Sequence, residues 1–416
     1  MNTAKPFTIP KGLVYDAFKA VKANAGAAGV DKETIEDFEK NLKDNLYRIW
    51  NRMSSGSYFP TPVKAVAIPK KNGGERILGV PTVSDRVAQM VVKMLIEPKL
   101  EPIFLPDSYG YRLGKSALDA VAITRKRCWQ YDWILEFDIK GLFDNIDHTL
   151  LGRAVEKHLE CKWVRLYIGR WLTAPLQKPD GTLVERTKGT PQGGVVSPCL
   201  ANLFLHYAFD AWLARTFPGV PWCRYADDGL VHCKTETEAR TIMAALKERL
   251  AECGLEMHPD KTHIVYCKDG SRKEKHPNTK FDFLGYTFRP RVVKNRKRNS
   301  LFVSFTPAVS SKALKSMRET TRKLNYRNRT DLSLGDISRL HNPVMRGWIA
   351  YYGRFYPSAM YPVFRHFNKT LVAWAMRKYR RLKGHKTRAS LFLEKLAEQQ
   401  PRLFVHWQQG TIGGLA

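Results

Sequence analysis

Trp222-Cys223-Arg224-Tyr225-Ala226-Asp227-Asp228-Gly229-Leu230-Val231-His232-Cys233 sets two adjacent carboxylates inside an apolar run. The flanks are strand-like in composition, so the stretch reads as a β-hairpin with the acid pair at its tip. Like charges side by side repel, and a chain tolerates them best where solvent or a cation offsets them. Upstream, Ile134-Leu135-Glu136-Phe137-Asp138-Ile139 is a second apolar strand that ends in a carboxylate. A carboxylate from each of two neighbouring strands is what a two-metal phosphoryl-transfer site needs, the ions activating the attacking oxygen and neutralising the leaving one. Asp138 ends its strand, whereas Asp144 and Asp147 lie beyond it and compete for the same role; Asp147 also suits the cap of a following helix. Taken alone, the acidic tetrapeptide is weak evidence and fits an exposed turn better.

Composition narrows the choice. The 416 residues carry a formal net charge of +30, with 32 Lys and Arg against eight Asp and Glu from Lys268 onward. Such a balance excludes an ordinary metabolic enzyme as the default and points to a polyanionic partner, bound tightly and with steep salt dependence. Trp348, Tyr351, Tyr352, Phe355, Phe364, Phe367 and Trp374 interleave that charge. Most are expected to pack a helical core, with one or two left to stack on bases or sugars. The seven Cys lack metal-ligand spacing, which argues against zinc and against a disulfide partner. No apolar run is long enough to cross a bilayer and no secretory pattern opens the chain, so the expected compartment is the cytoplasm, at the nucleoid if the source is bacterial.

The pattern along the chain predicts helices over Lys11 to Asn24 and Glu33 to Met53, then a hairpin over Val63 to Pro81 turning at Asn72-Gly73-Gly74. Further helices are expected over Ser84 to Leu100 and Lys115 to Gln130. Strands and helices alternate from Trp133 to about Phe288, an α+β pattern. Lys268 to Lys280 reads as a mobile charged insertion, and beyond Pro307 the periodicity is helical, with Ala313, Leu314, Met317 and Leu324 on one face and Leu332 and Ile337 to Leu340 on another.

An ordered series of segments resembles the reverse transcriptases. Ile68-Pro69-Lys70 through Gly79-Val80-Pro81 is similar to their first fingers motif, Phe137 to His148 to the palm motif with the first Asp, and Thr190-Pro191-Gln192-Gly193-Gly194 to the loop under the incoming nucleotide. The Asp pair, Lys261 and Phe283-Leu284-Gly285-Tyr286 follow in order. Ala23 to Asp31 and Asn342 to Phe355 resemble the extra N-terminal and thumb segments of the group II intron-encoded kind, in a nuclease-less, group IIC-like or free-standing form. The resemblance implies a right-hand polymerase of fingers, palm with antiparallel sheet, and helical thumb. Its expected domains are an N-terminal extension over 1–62, fingers over 63–132, palm over 133–290 and a basic thumb or maturase domain over 291–416.

The same resemblance implies roles. Asp138, Asp227, the Ile139 carbonyl and, at longer range, Asp228 would hold two Mg²⁺, with Mn²⁺ as a substitute. Lys70 and Arg76 would lie over the triphosphate, Lys261 near the leaving group as a proton donor, and Phe143 under the sugar, where it excludes a 2′-hydroxyl. Gln192 would approach the nascent base pair and Arg112 the nucleic acid. Gly26, Gly29 and Asp31 would belong to a lid over the template. Ala226, by strand alternation, would face the primer end. Lys32 departs from the Gly that often follows the lid Asp, leaving the path of that loop open. The chain ends at Ala416 with no His-Asn-His nuclease segment, so it is not expected to cut a target strand. The expected activity is RNA-directed DNA synthesis on an RNA template from a DNA primer and dNTPs, with intron RNA as a further partner. Two alternatives stay open: a splicing maturase that only binds RNA, and a polymerase recruited to host DNA repair or defence on RNA or DNA templates.

Overall fold

A computed structural model describes residues 5–69, 74–295 and 297–412. These fall into two compact units, one holding the chain up to Ala120 together with Leu135–Ile264, the other Val121–Ile134 together with the chain from Val265 onward. Among the described residues no helix is long and apolar enough to cross a membrane.

The first unit opens with helix Lys11–Asn24, which buries Val14, Ala17, Phe18 and Val21, a single stripe at helical spacing. The helix expected over 33 to 53 is instead two, Ile35–Lys40 and Leu42–Ser55. They break at Asn41, a residue type that leaves helices readily. The Asn45 side chain donates to the Phe38 carbonyl (2.9 Å), the acceptor a continuous helix would reserve for the amide of Leu42. Strands β1 (Val63–Pro69) and β2 (Glu75–Val80) pair antiparallel from Lys64↔Val80 to Pro69↔Glu75. Lys70, Asn72 and Gly73, expected at their tip, lie outside the described residues. Helix Val83–Leu100 follows, capped by the Thr82 side chain and buried along most of its length.

The acidic segments belong to a sheet. Strands β3 (Trp133–Asp138), β6 (Trp222–Tyr225), β7 (Asp228–Cys233) and β8 (His263–Tyr266) run in the order β6-β7-β3-β8, while the short β4 (Leu176–Gln177) and β5 (Leu183–Val184) extend the β2-β1 ladder. Leu135, Phe137, Leu230 and Val231 are buried in the sheet. Between β5 and β6, helix Ser197–Leu205 passes through a π-helical turn at His206–Asp210 into helix Ala211–Thr216.

The second unit carries β9 (Phe281–Phe283), β10 (Tyr286–Asn295) and β11 (Ser300–Val309) in the order β11-β10-β9. Four long helices follow, Ser311–Lys323, Leu334–Tyr352, Tyr361–Lys378 and Lys386–Gln399. Phe364, Phe367, Leu371, Trp374, Phe404 and Trp407 form the centre of their core. Met317 joins that core, but Leu324 and Leu340 are exposed. Tyr351, Tyr352 and Phe355 surround the buried Tyr286 ring at 5.5–5.7 Å between centroids. With Phe364, Phe367 and Trp374, six of the interleaved aromatics thus serve packing. The segment from Lys268 is tied down rather than free at its start. Arg272 donates to the carbonyls of Tyr131 (2.9 Å) and Cys128 (3.0 Å) and pairs with Asp269, and the His276 ring packs on Trp133 and Tyr266 at 4.5 Å.

Two histidines in this core set a pH limit. His341 stacks on Phe367 at 4.0 Å, and neither of its ring nitrogens has a hydrogen-bond partner among the described residues. Burial pushes it down to about 4 and His406 down to about 3. The unfolded chain therefore binds more protons below pH 6.5, and stability rises with pH through that range. The contribution is complete above about pH 6.5 and erodes as pH falls toward 4, by on the order of a few kcal/mol. Urea unfolding at pH 7.5 and 5.0 is expected to show the loss. His341→Phe, which removes one titrating ring, is expected to reduce the difference between the two pH values.

Candidate active site

Tyr225 pairs with Asp228, leaving Ala226 and Asp227 as a two-residue turn. Ala226 has φ 56° and is 6% exposed. It is therefore a buried turn residue in the left-handed region, and strand alternation, the basis for pointing it at a primer end, does not apply. The Ile139 amide donates to the Asp227 carbonyl (3.2 Å), tying the end of β3 to the turn. On the other side of β3 the His258 amide donates to the Asp138 carbonyl (2.8 Å) and the Lys140 amide to the Glu256 carbonyl (2.9 Å). Glycine follows the Asp pair for a steric reason: a Cβ on Gly229 would lie 2.2 Å from the Phe137 ring. Asp138, Asp227 and Asp228 are thereby brought together, with Ile139 beside them.

Lys261, on the short turn Pro259–Lys261, places Nζ 2.8 Å from Asp138 Oδ2. Burial, with Asp227 and Asp138 nearby, pushes the Asp228 carboxyl up. Burial also raises Asp227, with Asp138 adding to the effect. Burial alone would lower Lys261, but its hydrogen bond to Asp138 and the acid charges outweigh it and hold the ammonium protonated. Among the described residues no three His, Cys, Asp or Glu side chains converge on a common metal position as they stand. The donor chemistry nonetheless suits a hard divalent cation: carboxylate oxygens drawn together, with their charged forms disfavoured by one another and by burial. Asp138, Asp227 and Asp228 are the residues that would hold it.

A relay joins the hairpin of β1 and β2 to this region. Arg76 Nε donates to Gln192 Oε1, and Gln192 Nε2 donates to Asp144 Oδ2 (3.1 Å). The Gly79 amide donates to the Gln192 carbonyl (2.9 Å). Asp144, a competitor for metal ligation on sequence, is thus the partner of Gln192. Phe143 is half-buried and meets the Tyr111 ring edge to face at 6.4 Å. Tyr111, half-exposed and raised by burial and by Asp227, was not singled out on sequence; its place beside Gly110 was the available signal. Lys70 lies outside the described residues.

The lid segment is held by a residue that sequence reading missed. Arg86 donates to the carbonyls of Ala25 (3.1 Å) and Ala27 (2.9 Å). A Cβ at Gly26 would stand 2.5 Å from that guanidinium and one at Gly29 2.7 Å from the Thr82 backbone, so these glycines answer first to packing on helix Val83–Leu100. Asp31 accepts from the Glu33 amide (3.2 Å), and Lys32 adopts φ 60°, the conformation glycine would take there. A cleft of about 390 Å³ adjoins this loop, lined by Gly26, Ala27, Gly79, Arg86, Lys93 and Gln192.

Arg112 corrects an expectation. Its guanidinium is 6% exposed, pairs with Glu101 (2.6 Å) and donates to the Leu105 (2.6 Å) and Ser108 (2.8 Å) carbonyls. It braces a loop instead of facing nucleic acid.

A strand-end carboxylate set against a buried acidic hairpin turn, on an antiparallel sheet with a fingers-like hairpin linked to it, defines a right-hand polymerase. The chain belongs to the reverse transcriptase (RNA-dependent DNA polymerase) family, whose profile matches residues 68–288. It is of the group II intron reverse transcriptase and maturase kind: residues 314–391 match the group II intron maturase-specific domain. It is 35% identical over 198 residues to the group II intron-encoded protein LtrA of Lactococcus lactis subsp. cremoris, covering 47% of this chain and 32% of that protein. To protein YkfC of Escherichia coli it is 29% identical over 313 residues, covering 66% of this chain and 77% of that one. An uncharacterized 91 kDa protein in the cob intron of Schizosaccharomyces pombe is 25% identical over 444 residues, covering 88% and 52%. The match thus spans about a third of the Lactococcus protein's length.

Arg112→Ala is expected to lower unfolding stability by about 2–3 kcal/mol, since it strands Glu101 and two loop carbonyls. RNA affinity should change by less than about twofold, the side chain being buried and turned onto Glu101 and the loop carbonyls. Denaturant unfolding and filter binding on one preparation would check both.

Proposed function

We propose that this chain is an RNA-directed DNA polymerase that extends a DNA primer on an RNA template with dNTPs, acting in the cytoplasm. The observation that carries the reading is the meeting of Asp138 with the turn of Asp227 and Asp228, faced by the protonated Lys261. Two Mg²⁺ bound there would activate the primer hydroxyl and stabilise the leaving oxygen. Lys261 holds a proton at Nζ within reach of that chemistry, as a general acid must. Arg76, its guanidinium aimed by Gln192, offers a cation for a triphosphate, a part in which Lys70 joins it. Phe143, only half-buried and propped by Tyr111, has a ring face to set against a sugar. The cleft under the Arg86-held lid, with Lys93 and Arg86 in its wall, is assigned to the template strand. In this reading 1–62 is the N-terminal extension, 63–132 the fingers, 133–290 the palm and 291–416 the thumb.

A second activity in the same chain, binding of intron RNA to assist splicing, is favoured by the maturase-specific match at 314–391. Charge agrees with it. Among the described residues from Val265 onward, ion pairs with carboxylates engage Arg272, Arg329 and Arg339, leaving most Lys and Arg of that stretch available for phosphates.

Asp227→Asn and Asp228→Asn are each expected to abolish primer extension, because metal ligation needs carboxylate charge, while RNA affinity stays nearly unchanged. Extension and binding are to be measured on the same preparations; near-normal extension by either variant would remove the carboxylates from the reaction. Phe143→Ala is expected to raise ribonucleotide over deoxyribonucleotide incorporation by about fivefold or more, the clash with a hydroxyl being worth on the order of 1–3 kcal/mol. Unchanged sugar selectivity in competition assays would leave Phe143 a packing residue.

A further inference from the structure

Arg224 lies two residues before the turn of Ala226 and Asp227, and its side chain is fully buried. Nε and Nη2 donate to the two oxygens of Asp210 (2.7 and 2.6 Å), Nη2 also to Ser108 Oγ (2.8 Å), and Nη1 to Asn202 Oδ1 (3.2 Å). The remaining Nη1 bond goes to the Ala226 carbonyl (3.1 Å). All five N–H groups of the guanidinium are thereby engaged. A buried ion pair is weak evidence for stability, because desolvation largely cancels its attraction and an apolar pair would often do as well. What the pair supplies is direction. Four bonds fix the planar fork, and the fifth holds the carbonyl of a residue whose backbone sits at φ 56°.

The surroundings converge on the same residue. Asn202, having accepted from Arg224, donates to the Gly110 carbonyl (2.7 Å). Gly110 lies so close to the turn that a Cβ there would stand 2.4 Å from the Ala226 nitrogen. The Arg224 backbone is bracketed too, its amide donating to Asp107 (3.0 Å) and its carbonyl accepting from Tyr109 (2.8 Å). Asp210 closes the π-helical turn His206–Asp210 and is fully buried. Such turns are rare inside helices and are frequent at functional sites. From its outer side Arg249 donates to the Tyr207 (3.1 Å) and Ala208 (3.3 Å) carbonyls of that turn.

We propose that Arg224, aimed by Asp210 from the π-helical turn, is a positioning residue that holds Ala226 in the left-handed conformation and so sets how Asp227 and Asp228 face Asp138. The role in catalysis rests on the polymerase reading above; the clamp on the turn does not. An L-residue with a Cβ is disfavoured at this φ, so an outside hold is required where glycine would need none.

That difference supplies the test, made on the full chain. Arg224→Lys keeps the charge but cannot reach Asp210 and Ala226 together. Its kcat for nucleotide addition is expected to fall about 10²-fold, the size of effect an ångström-scale misplacement produces, with KM for dNTP within about twofold. Amide exchange over residues 226–228 should quicken. Adding Ala226→Gly should restore the rate by at least about tenfold and slow the exchange again, since glycine takes positive φ unaided. If Arg224→Lys does not fold, the pair Arg224→Met with Asp210→Leu, which removes both charges together, carries the same comparison. A folded variant with unchanged rate and exchange overturns the proposal, as does a rate loss that Ala226→Gly leaves untouched. Failure of the unmodified protein to extend primers would sink the polymerase reading instead, and the exchange measurements would still decide the clamp.

Discussion

Carboxylates gathered where water is scarce oppose their own ionisation, and the centre of this protein is organised around that conflict. Asp138, Asp227 and Asp228 are drawn together by backbone bonds that leave them little choice: the Ile139 amide to Asp227, the antiparallel pairing of β6 with β7, and the buried Arg224 beneath. Lys261 offsets part of the charge from one side. A site of this kind is poised for a divalent cation, because relief of mutual repulsion adds to the energy of ligation. The rest of the first unit follows from holding it steady. Glycine at 229 admits the Phe137 ring, Gln192 ties the β1–β2 hairpin to the neighbourhood of Asp144, and Arg86 anchors the N-terminal loop at Ala25 and Ala27.

Legibility from sequence followed the range of each interaction. The acid pair, the strand ending in Asp138 and the hairpin over Val63 to Pro81 announce themselves within a few residues, through composition and periodicity. Ala226 did not, since alanine gives no hint of a left-handed backbone, and strand alternation was carried one residue too far into a turn. Arg112 looked like a nucleic-acid contact because an arginine in an aromatic, Gly-containing loop has no visible partner; Glu101 supplies one. Arg86 was invisible as an organiser because its acceptors are backbone carbonyls that sequence does not distinguish, and Arg224 because Asp210, Asn202 and Ser108, the side chains it binds, lie far from it along the chain. The break at Asn41 was within reach, had the side chain of Asn45 been weighed as a competitor for a helix carbonyl. Lys32 shows that a glycine-like conformation does not require glycine.

In the second unit, charge and core are separate layers. Phe364, Phe367 and Trp374 are buried in the helices, and Tyr286 lies within a ring of aromatics. Most of the cations are left to the outside, where long side chains cover apolar surface with their stems while the heads stay in water. The core determines that the unit folds, and the excess positive charge determines what it attracts.

The loop that begins at Lys268 bears on how the protein can be divided. By composition it is a natural place for a protease or a designer to cut. Yet Arg272 is sunk into carbonyls at the end of a distant helix, and Asp269 is pulled well below the usual carboxylate range, against the cost of its burial, by hydrogen bonds from Arg272 and Ser271. Trypsin needs an arginine with its side chain free, and this guanidinium is taken up by two carbonyls and two carboxylates. A fragment ending there would shed the ligand of Cys128 and Tyr131 and open a seam in what remained. Apparent linkers in basic proteins are therefore better sorted by where their arginines point than by how many they contain.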